Sequence, residues 1–359
     1  MQGMLEGFEA PSTRSADVAR VLVDVDLPHM DRPLDYIVPA GLADAAVVGS
    51  LVRVRLSSAR IDGWIVERIR REVGEGTASL ESVVSSTPVL APSIYETARR
   101  IAARFLATTS QVLSLAIPPR HARAEREARD ENAPTWPTVT SDHVGLGWEA
   151  YPAGEALVSR LRAGESPRAI ATMLRPRLRG CLSEAVASTV ASRRSVIVVT
   201  ATGEQAGRYA RELSEDLSIP VSLAGSEVAA EKRYRLHVAA SLGRVPVVVG
   251  TRSAVWVPCS RLGLIIIVDD GDDRLRERRF PRCDALDVAV QRCAVEGSGL
   301  LVASSARSVK AQALVRSGWA VGIEPTPQAL REATPRVHLH GSTQAEREGA
   351  GGLMRIPQA

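Results

Sequence analysis

The chain has 359 residues, 45% of them apolar and 24% charged, with a net charge of +4 from 45 Lys+Arg against 41 Asp+Glu. At roughly 150 residues per domain this predicts about two packed domains, and the composition excludes wholesale disorder. No stretch approaches the ~18 consecutive apolar residues of a membrane span, and the opening MQGMLEGFEAPSTRSA lacks the basic-then-apolar pattern of a leader, so a cytoplasmic, nucleoid-associated protein is expected.

A slightly basic balance permits nucleic-acid binding but does not argue for it, because an arginine bias also follows from base composition. Cys181, Cys259, Cys283 and Cys293 form no CxxC pair and have no His at ligand spacing. Buried free thiols are therefore expected, rather than a zinc site or a disulfide framework. Aromatic residues make up only 4%, too few for an extended groove of stacked rings.

Residues 1–17 read as a polar tail. From Val18 the pattern is β: Val18–Val25, Leu34–Val38, Leu51–Leu56 and Trp64–Ile69, separated by Pro and Gly signals, predict a small antiparallel barrel or sandwich. In Leu51–Leu56, Arg53 and Arg55 share one face, a pattern that is most often simply solvated. A helix follows, with Ser93 and Glu96 spaced as a capping box and Ile94, Ala98, Ile101 and Phe105 on one face. Its Arg99, Arg100 and Arg104 face either solvent or phosphate. Val112–Ile117 stops at Pro118-Pro119, and the charged and Pro-bearing stretch 120–150 reads as a linker.

From residue 151 the grammar changes. Near-continuous apolar runs at 196–199, 245–249, 262–268 and 300–303 alternate with helical segments at 181–192, 204–216, 228–242, 284–296 and 307–317. Strands buried on both faces predict a doubly wound parallel α/β domain over 151–340, with its ligand at the carboxyl ends of the strands. The Gly-rich residues 341–359 read as a flexible tail.

Two of those strand ends carry chemistry. One run is followed by Gly250-Thr251-Arg252-Ser253-Ala254, the other by Asp269-Asp270-Gly271-Asp272-Asp273. An aliphatic strand ending in acids is the Walker B pattern, in which one carboxylate positions Mg²⁺ and the next polarises water. Acidic turns also end strands for solubility. The phosphate loop that should accompany it is missing: there is no GxxxxGK[ST] anywhere, and lysine occurs only at Lys232 and Lys310. The segment where it belongs reads Ile170-Ala-Thr-Met-Leu-Arg-Pro-Arg-Leu-Arg-Gly180.

Taken together, Val18–Val25, Leu34-Asp35-Tyr36-Ile-Val-Pro39, Val52-Arg-Val-Arg55, Asp62-Gly63-Trp64, Gly250-Thr-Arg-Ser-Ala-Val-Trp256, Leu262-Gly-Leu264 and Asp287–Val290 resemble the PriA (primosomal protein N′) replication-restart family. The resemblance implies an N-terminal module that binds the 3′ end of a nascent strand at a fork, followed by a superfamily 2 helicase of two RecA-like lobes with an inserted zinc region. By position, the 3′-end pocket falls at Leu34, Asp35 and Ser57, with Arg53 and Arg55 beside it and Thr251 and Arg252 on the helicase lobe. Ser57 stands where the family has glycine and Glu81 where it has lysine. The family's Asp-Glu-Glu-His box reads Asp269-Asp270-Gly271-Asp272 here, and its Gly-Ser-Ala-Thr motif reads Ala303-Ser304-Ser305-Ala306. These departures resemble the actinobacterial branch, in which the ATPase motifs have decayed, and the zinc region and second lobe that the resemblance implies are expected to be missing from this chain.

The resemblance implies a restart DNA-binding protein without helicase activity, whose partners are branched or forked DNA with a 3′ end and other restart proteins, not membrane. Two alternatives stay open: an ATP-dependent 3′→5′ helicase with a non-standard nucleotide site, and a truncated remnant. The family's cofactors, ATP with Mg²⁺ and zinc, are not supported by the residues, and Asp269 and Asp270 are at most a degenerate catalytic pair.

Overall fold

The computed structural model describes residues 13–132, 135–139, 147–225 and 228–335. Its first strands are β1 (Thr13–Val23), β2 (Leu34–Ile37), β3 (Leu51–Leu56), β4 (Ala59–Gly74) and β5 (Ser82–Ser85). They make an antiparallel sheet in the order β2-β1-β4-β3-β5. The Ile37 N–H donates to Ala78 O and the Leu80 N–H to Ile37 O, so the approach to β5 returns to β2 and the sheet curls into a small barrel. Strand alternation fills the inside with Val21, Tyr36, Val52, Val54 and Ile65. It turns Arg20, Asp35, Arg53 and Arg55 outward. Residues 13–17, read from sequence as tail, are strand: β1 pairs with β4 from Thr13 opposite Gly74.

Three helices follow: α1 (Pro92–Phe105), α2 (Thr109–Ala116) and α3 (Ala122–Asp130). The Ser93–Glu96 capping box does not form. Pro92 takes the first helical position with Ala91 as cap, which leaves Ser93 inside the first turn. Glu96 instead accepts from Arg99 and Arg100 at 3.1 and 2.9 Å. The reciprocal capping box belongs to α2, between Thr108 and Gln111.

The second unit runs α4 (Gly154–Arg162), β6 (Arg168–Thr172), α5 (Leu178–Ala191), β7 (Ser195–Val199), α6 (Gly203–Leu217), β8 (Val221–Ala224), α7 (Ala230–Ser241) and β9 (Val247–Gly250). It continues with β10 (Leu262–Val268), α8 (Ala285–Glu296), β11 (Gly299–Ser304), α9 (Val309–Arg316), β12 (Val321–Ile323) and α10 (Pro327–Ala333). The seven strands are parallel, in the order β12-β6-β11-β10-β7-β9-β8, and form a doubly wound α/β lobe. Alternate residues bury both faces. Ile197, Val199, Ile265 and Ile267 enter one core, and Val196, Val198, Leu264 and Ile266 enter the other. At the end of β9 only glycine fits, since a Cβ on Gly250 would lie 1.7 Å from the Ala224 carbonyl oxygen.

The stretch 120–150 is not simply a linker. The first core also contains Leu22, Trp64, Leu90, Ile94 and Ile101, so the barrel's helices complete the lobe's own interior. α3 lies on α7, where Glu125 is 7% exposed. Its carboxylate accepts from Ser85 Oγ (2.7 Å) and Thr87 Oγ1 (3.4 Å) of the barrel side, Arg120 Nε (2.9 Å), and Tyr234 Oη (2.9 Å) of the lobe. A run of alternating charge reads as solvated because exposure is a tertiary property; here Ala124 and Ala128 supply a narrow buried stripe. Nearby, His237 Nε2–H donates to Val89 O at 2.7 Å. Among the described residues no helix is long and apolar enough to cross a membrane.

Candidate nucleic-acid interface

On β2, alternation sends Asp35 and its neighbours to opposite faces. Leu34 packs against the barrel interior beside Tyr36, whereas Asp35 lies outside, opposite Arg20 on β1. Its two oxygens stand 3.6 Å from Arg20 Nε and 2.7 Å from Arg71 Nη1. An ionised carboxylate offers about four acceptor sites, so capacity for a terminal hydroxyl remains. Tyr36 Oη donates to Arg55 O at 3.4 Å, tying β2 to the end of β3. Beyond it, Ser57 sits in the two-residue β3–β4 turn with φ +55°, a conformation that glycine adopts without cost.

The two arginines of β3 are not free cations. Arg53 forms a fork with Asp62 at 2.7 and 3.1 Å, and that hydrogen bond holds its guanidinium above its ordinary pKa. Arg55 and Arg60 both meet Glu81, each at 3.0 Å. Three arginines here share two carboxylates, so this barrel face keeps an excess positive charge before any ligand arrives.

At the lobe's strand ends, Thr251 is almost buried and its N–H donates to Ala224 O at 3.1 Å. Arg252 Nε reaches Glu277 at 3.3 Å. Burial would push the Glu277 carboxyl up, but the Arg279 N–H and Arg252 prevail and hold it below its usual range. After β10, Asp269 has φ +54° and faces Arg175 Nη2 at 3.6 Å. Asp270 accepts from two hydroxyls: Ser304 Oγ donates to one oxygen at 2.7 Å, and Ser308 Oγ, the cap of α9, donates to the other. Asp272 caps Arg274 and is lowered by that guanidinium.

These residues do not fit a magnesium–nucleotide complex. Between β6 and α5 there are only Met173, Leu174 and a tight turn at Arg175–Arg177, too little chain for a nest of phosphate-binding amides. The Leu174 N–H already donates to Tyr151 Oη at 2.8 Å. Tyr151 is 2% exposed and stacks edge-on against Trp148, whose Nε1 donates to Cys181 O in the first turn of α5. Ser304 was visible in sequence as part of the altered Gly-Ser-Ala-Thr motif, but Tyr151 and Ser308 were missed because isolated hydroxyls in ordinary contexts carry no spacing signal. The four cysteines are buried and free, their thiols pushed up to about 11 or 12 by burial.

Residues 20–118, spanning the barrel, α1 and α2, match the family model for the PriA 3′ DNA-binding domain (3′BD). The chain is 37% identical over 318 residues to the "Probable replication restart protein PriA" of Mycobacterium tuberculosis, covering 87% of this chain and 48% of that one. The chain belongs to the PriA family. A second PriA relative, from Mycobacterium leprae, is 32% identical over 340 residues, covering 93% of this chain and 52% of the relative. The chain thus spans about half the length of the curated PriA relatives it matches. Among solved structures, a DEAD box protein from Methanococcus jannaschii aligns with TM-score 0.38 at 14% identity, over 48% of this chain and 49% of that one. RecG bound to a three-way DNA junction aligns with TM-score 0.35 at 14% identity, over 65% of this chain and 29% of that one. Within the matched PriA module the structure places Leu34 and Asp35 on β2 and Arg53 and Arg55 on β3, with β1 and β4 between them. It brings Asp35 together with Arg20 and Arg71, not with Arg53 or Arg55.

Proposed function

We propose that this chain is a DNA-binding protein of replication restart that engages branched or forked DNA carrying a 3′ end. In this reading its RecA-like lobe is a rigid scaffold that does not hydrolyse nucleotide. The observation that carries the reading is the match of residues 20–118 to the 3′ DNA-binding domain, fused by a shared core to a lobe whose β6–α5 connection is too short for a phosphate loop.

Recognition works by position. Asp35, held between Arg20 and Arg71, accepts the terminal 3′ hydroxyl, while the cations around it meet the adjoining phosphates. A 3′ phosphate brings like charge against the carboxylate and weakens the complex.

The test is binding of the purified chain to a fork with a 3′ hydroxyl, the same fork with a 3′ phosphate, and plain duplex, at ~150 mM salt, where non-specific phosphate contacts are suppressed. The reading requires the order hydroxyl fork, phosphate fork, duplex, without DNA-stimulated ATP turnover. Equal affinity for fork and duplex overturns the binding half. Turnover that an Asp270→Asn change abolishes overturns the scaffold half.

A further inference from the structure

A cavity of about 570 Å³ opens on the face of the lobe's sheet opposite the one that packs against the barrel helices. It lies between the short turn Trp148–Ala150, α4 and α5, and its floor is made by the buried side chains of Trp148, Tyr151 and Val158. The volume is that of an ordinary small-ligand site.

Four charged side chains line it: Glu149 from the turn, Glu155 and Arg162 from α4, and Glu184 from α5. Glu184 Oε2 is shielded from water and has no hydrogen-bond partner among the described residues. Burial pushes this carboxyl up; the Trp148 N–H and Arg162 oppose that, and Glu149 adds like charge. A shielded carboxylate oxygen without a donor is costly, and a cation that donates to it relieves that cost. Glu149 and Glu155 are exposed and form no ion pair among the described residues. Arg160, the other cation at this end of α4, turns away to Glu165 at 2.6 Å. Three carboxylates against one guanidinium leave two negative charges around the cavity. An anion or a nucleic-acid strand is repelled here. Aromatic walls attract alkylammonium ions and cover a methylene stem, whereas a tightly hydrated metal ion gains little from them. A ligand with one charge at depth, an aliphatic stem and a second charge at the rim satisfies every wall.

We propose that this cavity binds an aliphatic diamine, with one ammonium on Glu184 Oε2, the methylene chain along Trp148 and Tyr151, and the second ammonium at the rim with Glu149 and Glu155. The site goes beyond the DNA-binding reading and does not depend on it.

The experiment titrates the full chain calorimetrically with putrescine, butylamine and Mg²⁺ at ~150 mM salt, where long-range attraction is screened. Two variants whose melting temperatures match the wild type are compared with it, Glu184→Gln and the exposed pair Glu149→Gln/Glu155→Gln. Loss of one charge-assisted hydrogen bond weakens binding by about tenfold or more. Putrescine should therefore bind the wild type and bind Glu184→Gln about tenfold more weakly. The rim pair should lose the preference for putrescine over butylamine. No putrescine binding, or equal affinity in the wild type and Glu184→Gln, overturns the site. Butylamine carries the stem and the single charge of a lysine side chain. Wild-type binding of butylamine as tight as that of putrescine would make the ligand a lysine of a partner and overturn the diamine. Displacement of putrescine by equimolar Mg²⁺ would make the site one for any divalent cation and overturn it equally.

Discussion

Removing the Glu125 carboxylate should loosen the barrel from the lobe. In Glu125→Ala four donors lose their acceptor. Ser85 and Tyr234 are 3% and 1% exposed, so their hydroxyls cannot turn to water; Ser85 keeps only the longer contact to Thr87 O at 3.4 Å, and the Arg120 guanidinium loses its counter-ion. Each stranded buried hydroxyl costs about 1–3 kcal/mol, and a buried ion pair broken on one side costs about 3–5 kcal/mol. These contributions overlap, and Arg120 at 33% side-chain exposure recovers part of its hydration, so the net loss should be about 3–5 kcal/mol. That is a large share of the ~5–15 kcal/mol that holds an ordinary domain folded. Glu125→Gln keeps one oxygen and can turn its amide toward Ser85 and Thr87, whose hydroxyls also accept, leaving the oxygen for Arg120 and Tyr234. It should cost less than half as much.

Urea unfolding at pH 7, followed by circular dichroism, measures both. Burial pushes the Glu125 carboxyl up, but Ser85, Arg120 and Tyr234 together hold it below its usual value. Its stabilisation is therefore complete above the unfolded pKa and is lost as pH falls through the lower folded value. The Gln variant should lack that acid limb. A Glu125→Ala loss under 1 kcal/mol, or equal losses for Ala and Gln, would refute the claim that this carboxylate joins the two units.

Three further outcomes follow from the geometry. His237, 3% exposed against Val89 O, is pushed down to about 4 by burial, so the folded chain keeps it neutral while the unfolded chain binds a proton below about 6.5. About 3 kcal/mol should therefore disappear as pH falls from 6.5 to 4, seen as a falling urea midpoint that His237→Gln flattens. Ser308→Ala removes both the cap of α9 and a donor to Asp270; it should cost about 1–2 kcal/mol in thermal unfolding and leave DNA affinity unchanged. Asp35→Ala frees Arg71 and leaves Arg20 with Glu67 at 2.8 Å, so non-specific duplex affinity and its salt slope should rise while discrimination between 3′ hydroxyl and 3′ phosphate ends disappears. Retained discrimination would remove Asp35 from the 3′-end site.

Much of the fold is legible from spacing. The alternation in Leu51–Leu56 and the continuous runs at 196–199 and 262–268 report one-sided and two-sided burial directly, because side-chain period and burial share one cause. β6, β8 and β12 escaped notice: two are short sheet edges, and Arg168–Thr172 begins and ends in polar residues. The Ser93–Glu96 pattern misled because the helix starts at Pro92 with Ala91 as its cap, two residues too early for it. At the site, Asp35 and the acids after β10 were visible as residue types at strand ends, but their partners were not. Arg71 and Ser308 reach them from 36 and 38 positions away in sequence, and ion pairs leave no local pattern.

The amino-acid sequence determined two things by itself: the barrel-then-parallel-sheet order, written in its hydrophobic periods, and the loss of the phosphate loop, since no fold supplies residues that are not there. Only the tertiary structure decided how the acids are used, Asp35 against Arg20 and Arg71 and Asp270 against Ser304 and Ser308. It also decided that the two units share one core across the charged stretch after Pro119. Two-domain size follows from length, but whether two domains move apart follows from what is buried between them, and burial is settled by contacts distant in the chain.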